Sequence, residues 1–199
     1  MNDASSPARA KGRRNFLLIA AMFLLPLAVV FGLYYGGVWS PSGSSAKGQL
    51  VHPARPLEVA GLRHADGSAA GTELFQGKWS LIYIGDGACD EACRTALTYG
   101  RQTRLALNKE MTRVQRVLLS TGHCCDQAYL AAEQPGLVVI DASSPEAQKL
   151  LAQFPDDRTQ SLFIVDPLGN LMMRHDATQV INKDLLSDLK KLLKLSHIG

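Results

Sequence analysis

The stretch that decides the fold is residues 77–93, GKWSLIYIGDGACDEAC. Its first part, Trp79–Ile84 (WSLIYI), is a short run of apolar and aromatic side chains, which predicts a buried β-strand. After two turn-forming glycines, the pattern predicts a helix from Asp90 to about Met111. A buried strand that turns directly into a helix is typical of an α/β fold.

The segments downstream continue this alternation. Apolar periodicity predicts strands at Val114–Ser120, Leu137–Ile140, Ser161–Val165 and Leu171–Arg174, a helix from Ser144 or Pro145 to Phe154, and a last helix capped by Asn182. Residues 166–169 (DPLG) have the residue types of a type I turn, so we expect the last two strands to form a hairpin. Strands that alternate with helices and end in a hairpin predict an α/β sandwich with a mixed sheet.

The charge of the chain is concentrated at its N-terminus. The 199 residues carry a formal net charge of +3, and residues 1–40 hold four basic side chains against one acidic side chain. The 17 basic and 17 acidic groups of residues 41–199 cancel. This distribution argues against a nucleic-acid-binding protein, because such domains carry a basic face of their own. A content of 46% hydrophobic residues also excludes wholesale disorder.

An apolar segment follows the basic tail. Phe16–Val38 contains no charged residue, and its 23 residues in a helix would span roughly 35 Å, enough for a hydrocarbon core of ~30 Å. No basic residue follows it until Lys47, so the positive-inside rule predicts a cytoplasmic N-terminus. No transit peptide precedes the segment, which favours bacteria. We expect a single-pass inner-membrane protein with a periplasmic C-terminal domain.

Two other interpretations compete for this segment. A cleaved signal peptide would have a shorter apolar region of ~7–15 residues, and residues 13–17 (RRNFL) also resemble a twin-arginine export signal. The length of the apolar run favours an uncleaved anchor. We expect a basic cytoplasmic tail at 1–15, a transmembrane anchor at 16–39, a flexible linker rich in Ser, Gly and Pro at 40–56, and one folded domain at 57–199.

The four cysteines fall into two pairs, Cys89/Cys93 and Cys124/Cys125. Outside the cytoplasm such pairs form structural disulfides, redox pairs or metal sites. If the helix begins near Cys89, the spacing of four places the first two sulfurs on one face, where the helix N-terminus lowers the pKa of a thiol. Two such thiolates can close a disulfide or hold a soft metal such as Cu(I). A purely structural bridge would close too small a loop to add much stability.

These features together resemble the SCO family of cytochrome c oxidase assembly proteins. The resemblance rests on residues 77–93, on residues 61–77 (GLRHADGSAAGTELFQG), which are similar to the family's first hairpin, and on SLFIVDPLGN at 161–170. It covers about 140 residues. The resemblance implies a thioredoxin-like mixed sheet flanked by helices, behind one N-terminal transmembrane helix.

Two related functions are implied by the resemblance. One is delivery of copper to the dinuclear copper centre of oxidase subunit II, and the other is thiol–disulfide exchange that keeps the cysteines of that centre reduced. Cys89 and Cys93 would then be the copper thiolates and the exchanging pair, with Cys89 as the more exposed attacking thiolate. The implied cofactor is Cu(I), and the implied partner is oxidase subunit II or another thiol client.

One position departs from the family pattern. The family supplies a third copper ligand, a His nine residues before the Pro of the Asp-Pro-x-Gly turn, and counting back from Pro167 gives Arg158. A guanidinium is permanently cationic and has no lone pair for a metal. Either this chain is a redox member that does not hold copper as the family does, or another residue replaces the ligand.

His123, Cys124 and Cys125 are the candidates for that replacement. They follow the Val114–Ser120 strand, which a helical crossover joins to Trp79–Ile84, so we expect the two strands to be parallel and to end at one edge of the sheet. His123 nitrogen and cysteine sulfur both suit copper. Alternatively, Cys124 or Cys125 is a resolving thiol that exchanges with the first pair, or the triplet is a loop without a role.

The sequence also leaves other functional classes open. A general thioredoxin-type oxidoreductase would use Cys-x-x-Cys and a Pro before a late strand, whereas Cys89–Cys93 is one residue longer and Thr159-Gln160 stand before the strand. A thiol peroxidase without copper and a non-enzymatic scaffold for oxidase assembly are further hypotheses. His175 is a weaker ligand candidate than His123.

Overall fold

The N-terminal unit of the chain is a single apolar helix. The computed structural model describes residues 7–36, 45–86, 90–122, 127–156, 158, 160–178, 182–196 and 198–199, and the chain divides into two units, 1–44 and 45–199. The first unit contains α1, Pro7–Tyr35, of which Lys11–Tyr35 is long and apolar enough to cross a membrane. The predicted anchor at 16–39 therefore coincides with this helix as far as Tyr35, and residues 37–39 lie outside the described residues.

The second unit is built on a mixed sheet, which has seven strands among the described residues. In chain order they are β1 Gln49–Pro56, β2 Arg63–His64, β3 Trp79–Gly85, β4 Val114–Ser120, β5 Leu137–Asp141, β6 Ser161–Val165 and β7 Asn170–Asp176. They lie side by side in the order β1-β7-β6-β3-β4-β5-β2. The pairs β3/β4 and β4/β5 are parallel, and every other neighbouring pair is antiparallel. The predicted α/β fold with a mixed, thioredoxin-like sheet is confirmed.

Helices cover both faces of this sheet. They are α2 Glu91–Leu105, α3 Gln127–Glu133, α4 Pro145–Leu151 and α5 Asn182–Leu195, with a 3₁₀ turn at Asn108–Arg113. Because side chains alternate along a strand, Leu81 and Tyr83 belong to the apolar layer under α2 and α5, whereas Ile82 and Ile84 belong to the layer under α4. Leu185, Leu189 and Leu193 of α5 are part of the first layer.

Local turn chemistry accounts for the short connections. In the hairpin predicted within 61–77, Arg63 bridges Ala69 and the amide of His64 donates to the carbonyl of Ser68 at 2.8 Å. In the turn predicted at 166–169, the amide of Gly169 donates to the carbonyl of Asp166 at 2.9 Å. Both predicted turns are confirmed.

Two helices end earlier than the apolar pattern predicted. The helix expected to reach about Met111 ends at Leu105, and Asn108 then adopts a φ of 52°, a left-handed conformation that an α-helix excludes. The helix expected to reach Phe154 ends at Leu151. Its predicted start is confirmed, because the hydroxyl of Ser144 accepts the amide of Ala147 at 3.2 Å as an N-cap.

The predicted linker at 40–56 is wrong in its second half. Gln49–Pro56 form strand β1, which pairs with β7 from Gln49 opposite Arg174 to Pro56 opposite Asn170. Nearly all side chains of β1 are exposed, so no hydrophobic alternation marks it as a strand. Main-chain pairing with β7 orders it instead, as the outermost strand of the sheet. The folded unit accordingly begins at Ser45 rather than at residue 57.

Candidate redox and metal site

The parallel pairing of β3 and β4 defines the edge of the sheet where the candidate site lies. Trp79 pairs with Val114, and the register continues to Gly85 opposite Ser120, so both strands end at the same edge, as the sequence predicted. Beyond the strand ends, the amide of Thr121 donates to the carbonyl of Gly85 at 2.8 Å. The two loops that leave this edge therefore begin in direct hydrogen-bonded contact.

The next residue brings the loops closer still. A Cβ atom on Gly122 would lie only 2.2 Å from the carbonyl oxygen of Asp86, so Gly122 leaves room for this close approach. Asp86 directly precedes residues 87–89, and Gly122 directly precedes residues 123–126. The segment that contains Cys89 and the segment that contains the second cysteine pair thus start from neighbouring positions on the sheet.

Several predicted site residues lie outside the described residues. They are Cys89, His123, Cys124 and Cys125. The copper ligand set of Cys89, Cys93 and His123 and the resolving role of the second pair therefore stay predictions. Cys93 and the groups that flank these segments are described.

Cys93 occupies the first turn of α2. Asp90 is the N-cap of this helix, with φ −62° and ψ 176°, and its carboxylate accepts the amide of Cys93 at 2.8 Å. The helix begins at Glu91, two residues after Cys89, because the short Asp90 side chain satisfies an amide of the first turn that has no helical partner. Cys89 lies outside the described residues, so the prediction that the Cys89 and Cys93 sulfurs share one helical face stays a prediction.

The environment of Cys93 keeps its sulfur protonated. The side chain is a free thiol, 3% exposed, packed in the apolar layer with Tyr83, Ala96 and Leu97. Burial, and then the nearby carboxylates of Asp90 and Asp86, raise the pKa of this thiol to about 11, and Arg94 opposes them only weakly. The expectation that the helix N-terminus lowers the thiol pKa is wrong for Cys93, because desolvation and two negative charges outweigh it.

Tyr83 is a neighbour of Cys93 that the sequence did not single out. It lies on β3 and is buried in the same apolar layer. Burial, followed by the Cys93 sulfur once it ionises at high pH and by the carboxylates of Asp90 and Asp86, raises the pKa of the phenol. The phenol is therefore neutral at physiological pH. The alternation of side chains along β3 predicts that Tyr83 lies on the α2 side of the sheet. Its proximity to Cys93 also depends on where α2 begins.

Arg158 lies at the same edge of the sheet but has a structural partner. Leu162 of β6 pairs antiparallel with Tyr83, so β6 begins where β3 ends, and Arg158 stands three residues before β6. Its guanidinium donates to the carbonyl of Leu151, the last residue of α4, at 3.0 Å. A cation at a helix C-terminus is favourable, because the last carbonyls have no helical partner. The side chain thus caps α4.

The described residues do not assemble a complete metal site. In the part of the chain that the structure describes, no three His, Cys, Asp or Glu side chains are grouped closely enough to hold a metal ion. His175, the weaker candidate, is buried on β7 beside Asp188 of α5. Of the predicted ligands, only Cys93 is described, and Cys89 and His123 lie outside the described residues.

An open groove runs beside the first turn of α2. It has a volume of about 600 Å³ and is lined by residues of α2 and α3, among them Glu91, Arg94, Tyr129 and Glu133. The guanidinium of Arg94 lies 4.5 Å from the centre of the Tyr129 ring, a cation–π contact that joins the two helices.

The close approach of the two loops predicts an effect of Gly122→Ala. The added Cβ would force the Asp86 carbonyl to move, and we expect a loss of about 1–3 kcal/mol in the free energy of unfolding, measured by urea denaturation of the full chain in detergent. The control is Gly100→Ala within α2, where the new Cβ would meet only the Arg116 side chain at 3.9 Å and should stabilise by about 0.5–1 kcal/mol. Unchanged stability of Gly122→Ala would contradict the contact.

The raised pKa of Cys93 predicts slow alkylation of its thiol. The test uses a variant in which Cys89, Cys124 and Cys125 are replaced by Ser. At pH 8, iodoacetamide should modify Cys93 at least about 100-fold more slowly in the native protein than in urea. The reason is that a rise in the thiol pKa from 9 to about 11 lowers the thiolate fraction about tenfold per unit. The native rate should keep rising up to pH 10, whereas the rate in urea levels off near pH 9. Mass spectrometry follows both, and a native plateau below pH 9 would refute the assignment.

Comparisons with known proteins agree with this architecture. Residues 79–196 match the family model described as transmembrane-like, thioredoxin-like, C-terminal domain. No curated protein matches the chain. The solution structure of apo Sco1 from Thermus thermophilus is 21% identical, with a TM-score of 0.62 over 76% of this chain and 99% of that chain.

Two structures with copper bound are also similar. Yeast Sco1 with copper bound is 16% identical, with a TM-score of 0.60 over 77% of this chain and 96% of that chain. Bradyrhizobium japonicum ScoI with copper bound is 20% identical, with a TM-score of 0.55 over 70% of this chain and 99% of that chain. These likenesses confirm the SCO resemblance at the level of the fold. With more than half of its length matched by the family model, the chain belongs to the family of transmembrane-like, thioredoxin-like proteins.

Proposed function

We propose that this chain is a membrane-anchored SCO-like protein that acts in cytochrome c oxidase assembly outside the cytoplasm. Its chemistry is thiol–disulfide exchange through Cys89 and Cys93, with Cu(I) delivery as the related second activity. The observation that carries the proposal is the place of Cys93, a buried free thiol in the first turn of the helix that follows a central strand of a thioredoxin-like sheet. The fold shared with three solved Sco structures supports it.

The exchange proceeds in two steps. The Cys89 thiolate attacks one sulfur of a client disulfide, the bond between the client sulfurs breaks, and the departing client thiolate takes a proton. Cys93 then loses its proton and attacks the Cys89 sulfur of the mixed disulfide, which releases the second client thiol. The client gains two electrons and two protons, and the chain is left with a Cys89–Cys93 disulfide that a dithiol reductant must reduce again.

The charges around Cys93 favour this direction of exchange. Strongly oxidising pairs owe their potential to a stabilised thiolate in the reduced form. Here burial and the carboxylates of Asp86 and Asp90 destabilise the Cys93 thiolate. Cys93 is therefore a poor leaving group when the Cys89–Cys93 disulfide is attacked, and the pair serves better to reduce a client than to oxidise one.

Cu(I) is the proposed cargo, held by the Cys89 and Cys93 sulfurs and His123. A thiolate is required, so binding would release the proton that Cys93 holds at neutral pH. The same Asp86 and Asp90 charges that disfavour the thiolate favour a cation beside it. Arg158 supplies no ligand and donates to Leu151, which is why the third donor is proposed from the 123–126 loop.

The proposed location is the inner membrane, with the N-terminus in the cytoplasm and the second unit in the periplasm. The apolar helix α1 carries Lys11, Arg13 and Arg14 near its start and no basic residue in its last turn. This distribution supports the orientation through the positive-inside rule. The proposed partner is oxidase subunit II or another thiol client.

Serine at either Cys89 or Cys93 should abolish exchange and oxidase maturation. The first step needs the Cys89 sulfur and the second needs both, so we expect Cys89→Ser and Cys93→Ser each to lose oxidase activity in membranes of cells that rely on this chain. Thr95→Ser, on the same helix, is the matched control and should keep it. Normal oxidase activity in both cysteine variants would refute the proposal, and loss in Cys124→Ser or Cys125→Ser as well would assign those thiols a resolving role.

Anaerobic Cu(I) titration tests the delivery function separately. The full chain in detergent should bind Cu(I) with release of protons, and Cys89→Ser/Cys93→Ser should lose this binding. His123→Ala should weaken it, whereas His52→Ala, on the outer strand β1 four strands from β4, should not. If the wild-type chain binds Cu(I) no more tightly than the double-serine variant, the proposal of copper delivery is wrong and only the proposed redox function remains.

A further inference from the structure

A buried His–Asp pair lies where the chain enters its second unit. His175 of β7 is 6% exposed and Asp188 of α5 is 1% exposed. Nε2 of His175 lies 3.4 Å from Oδ2 of Asp188. The same carboxylate oxygen accepts the backbone amides of Lys47 at 2.8 Å and of Gly48 at 2.9 Å. We call residues 45–50 the strap, since they connect to residues 1–44 and lie against this pair.

The strap and the imidazole are in close contact. A Cβ atom on Gly48 would lie 2.6 Å from Nε2 of His175, so any side chain at this position would displace one of them. Nζ of Lys191 adds a bond to the carbonyl of Ser45 at 2.5 Å. Leu50 pairs with Met173, but the register with β7 then shifts until Arg55 pairs with Leu171. The strap is therefore kept in place by its hydrogen bonds to α5 and by its first residue pairs with β7.

The imidazole is held in its neutral form. The charged residues of the elements packed against it are Asp184, Asp188 and Lys191 of α5 and Lys47 of the strap, while β6 opposite contributes the apolar Leu162. Burial lowers the pKa of His175 and outweighs the opposing pull of Asp188 and Asp184. Within the described structure, Nε2 of His175 makes no hydrogen bond, and the Oδ2 atom 3.4 Å away already accepts the amides of Lys47 and Gly48.

We propose that His175, Asp188 and the amides of Lys47 and Gly48 form a pH-sensitive clip that holds the strap closed at neutral pH and releases it in acid. The folded-state pKa of His175 is lowered, so its contribution to the closed form is complete above about 6.5 and is lost as the pH falls through the lowered pKa. In the open form the imidazole is exposed to water. Each unit by which the pKa of His175 in the closed form lies below 6.5 changes the ratio of open to closed strap in acid by about tenfold.

Release of the strap has a mechanical consequence in an anchored protein. The six residues 45–50 would add up to about 20 Å to the connection between the two units, at 3.3–3.6 Å per extended residue. This consequence rests on the proposed anchoring, whereas the clip itself does not.

Hydrogen exchange of the full chain in detergent micelles tests the clip. After correction for intrinsic rates, the protection of the Lys47, Gly48 and Gln49 amides should fall between pH 7.5 and pH 5.0, while amides of β4 keep theirs. His175→Gln should make strap protection independent of pH, and His64→Gln, at the far edge of the sheet, should leave the wild-type dependence. Asp188→Asn should lower strap protection at every pH. Constant wild-type protection, or a persistent pH dependence in His175→Gln, would overturn the proposal.

A measurement on the wild-type chain decides the matter if the variants misfold. The His175 ring resonances should titrate below pH 6.5, with a midpoint that matches the loss of strap protection. Titration at or above 6.5 would overturn the clip, because protonation would then favour the closed form. Normal oxidase activity in both cysteine variants, together with a His175 titration below pH 6.5, would refute the proposed function and leave the clip standing. The two proposals can therefore fail independently.

Discussion

The parallel pairing of β3 and β4 is the constraint on which the candidate site depends. Because Gly85 and Ser120 end the two strands opposite each other, the loop before α2 and the loop before α3 leave the sheet side by side. The Thr121 amide and the missing side chain of Gly122 bring them into contact. A shift of one residue in this register would turn the inward face of one strand outward and separate the loops.

Strand positions were predictable from the sequence because they depend on burial. Val114–Ser120 and Ser161–Val165 match their predicted bounds, since continuous apolar runs mark strands buried on both faces. β1 was not predictable in this way, because main-chain pairing with β7 orders it and its side chains are exposed. The end of α2 depends on the left-handed backbone at Asn108, which hydrophobic periodicity does not register.

The place of the candidate site on the sheet was predictable, but the electrostatics of Cys93 were not. The shared strand edge followed from chain topology, whereas the pairing of Cys89 with Cys93 stays a prediction. The start of α2 at Glu91 agrees with the helix predicted from Asp90, which is its N-cap. The sequence did not reveal the burial of Cys93, which is the largest cause of its raised pKa, ahead of the carboxylates of Asp90 and Asp86. The charge on this thiol is thus decided first by desolvation and then by the carboxylates beside it.

The proposed site and the proposed clip share one apolar layer and one physical cause. His175 pairs with Leu162, and Leu162 pairs with Tyr83, so these side chains form a row across the sheet that ends next to Cys93. Desolvation disfavours the charged form of any group. It therefore raises the pKa of the acidic thiol and lowers the pKa of the basic imidazole. The same apolar layer that favours a reducing Cys93 makes His175 sensitive to acid.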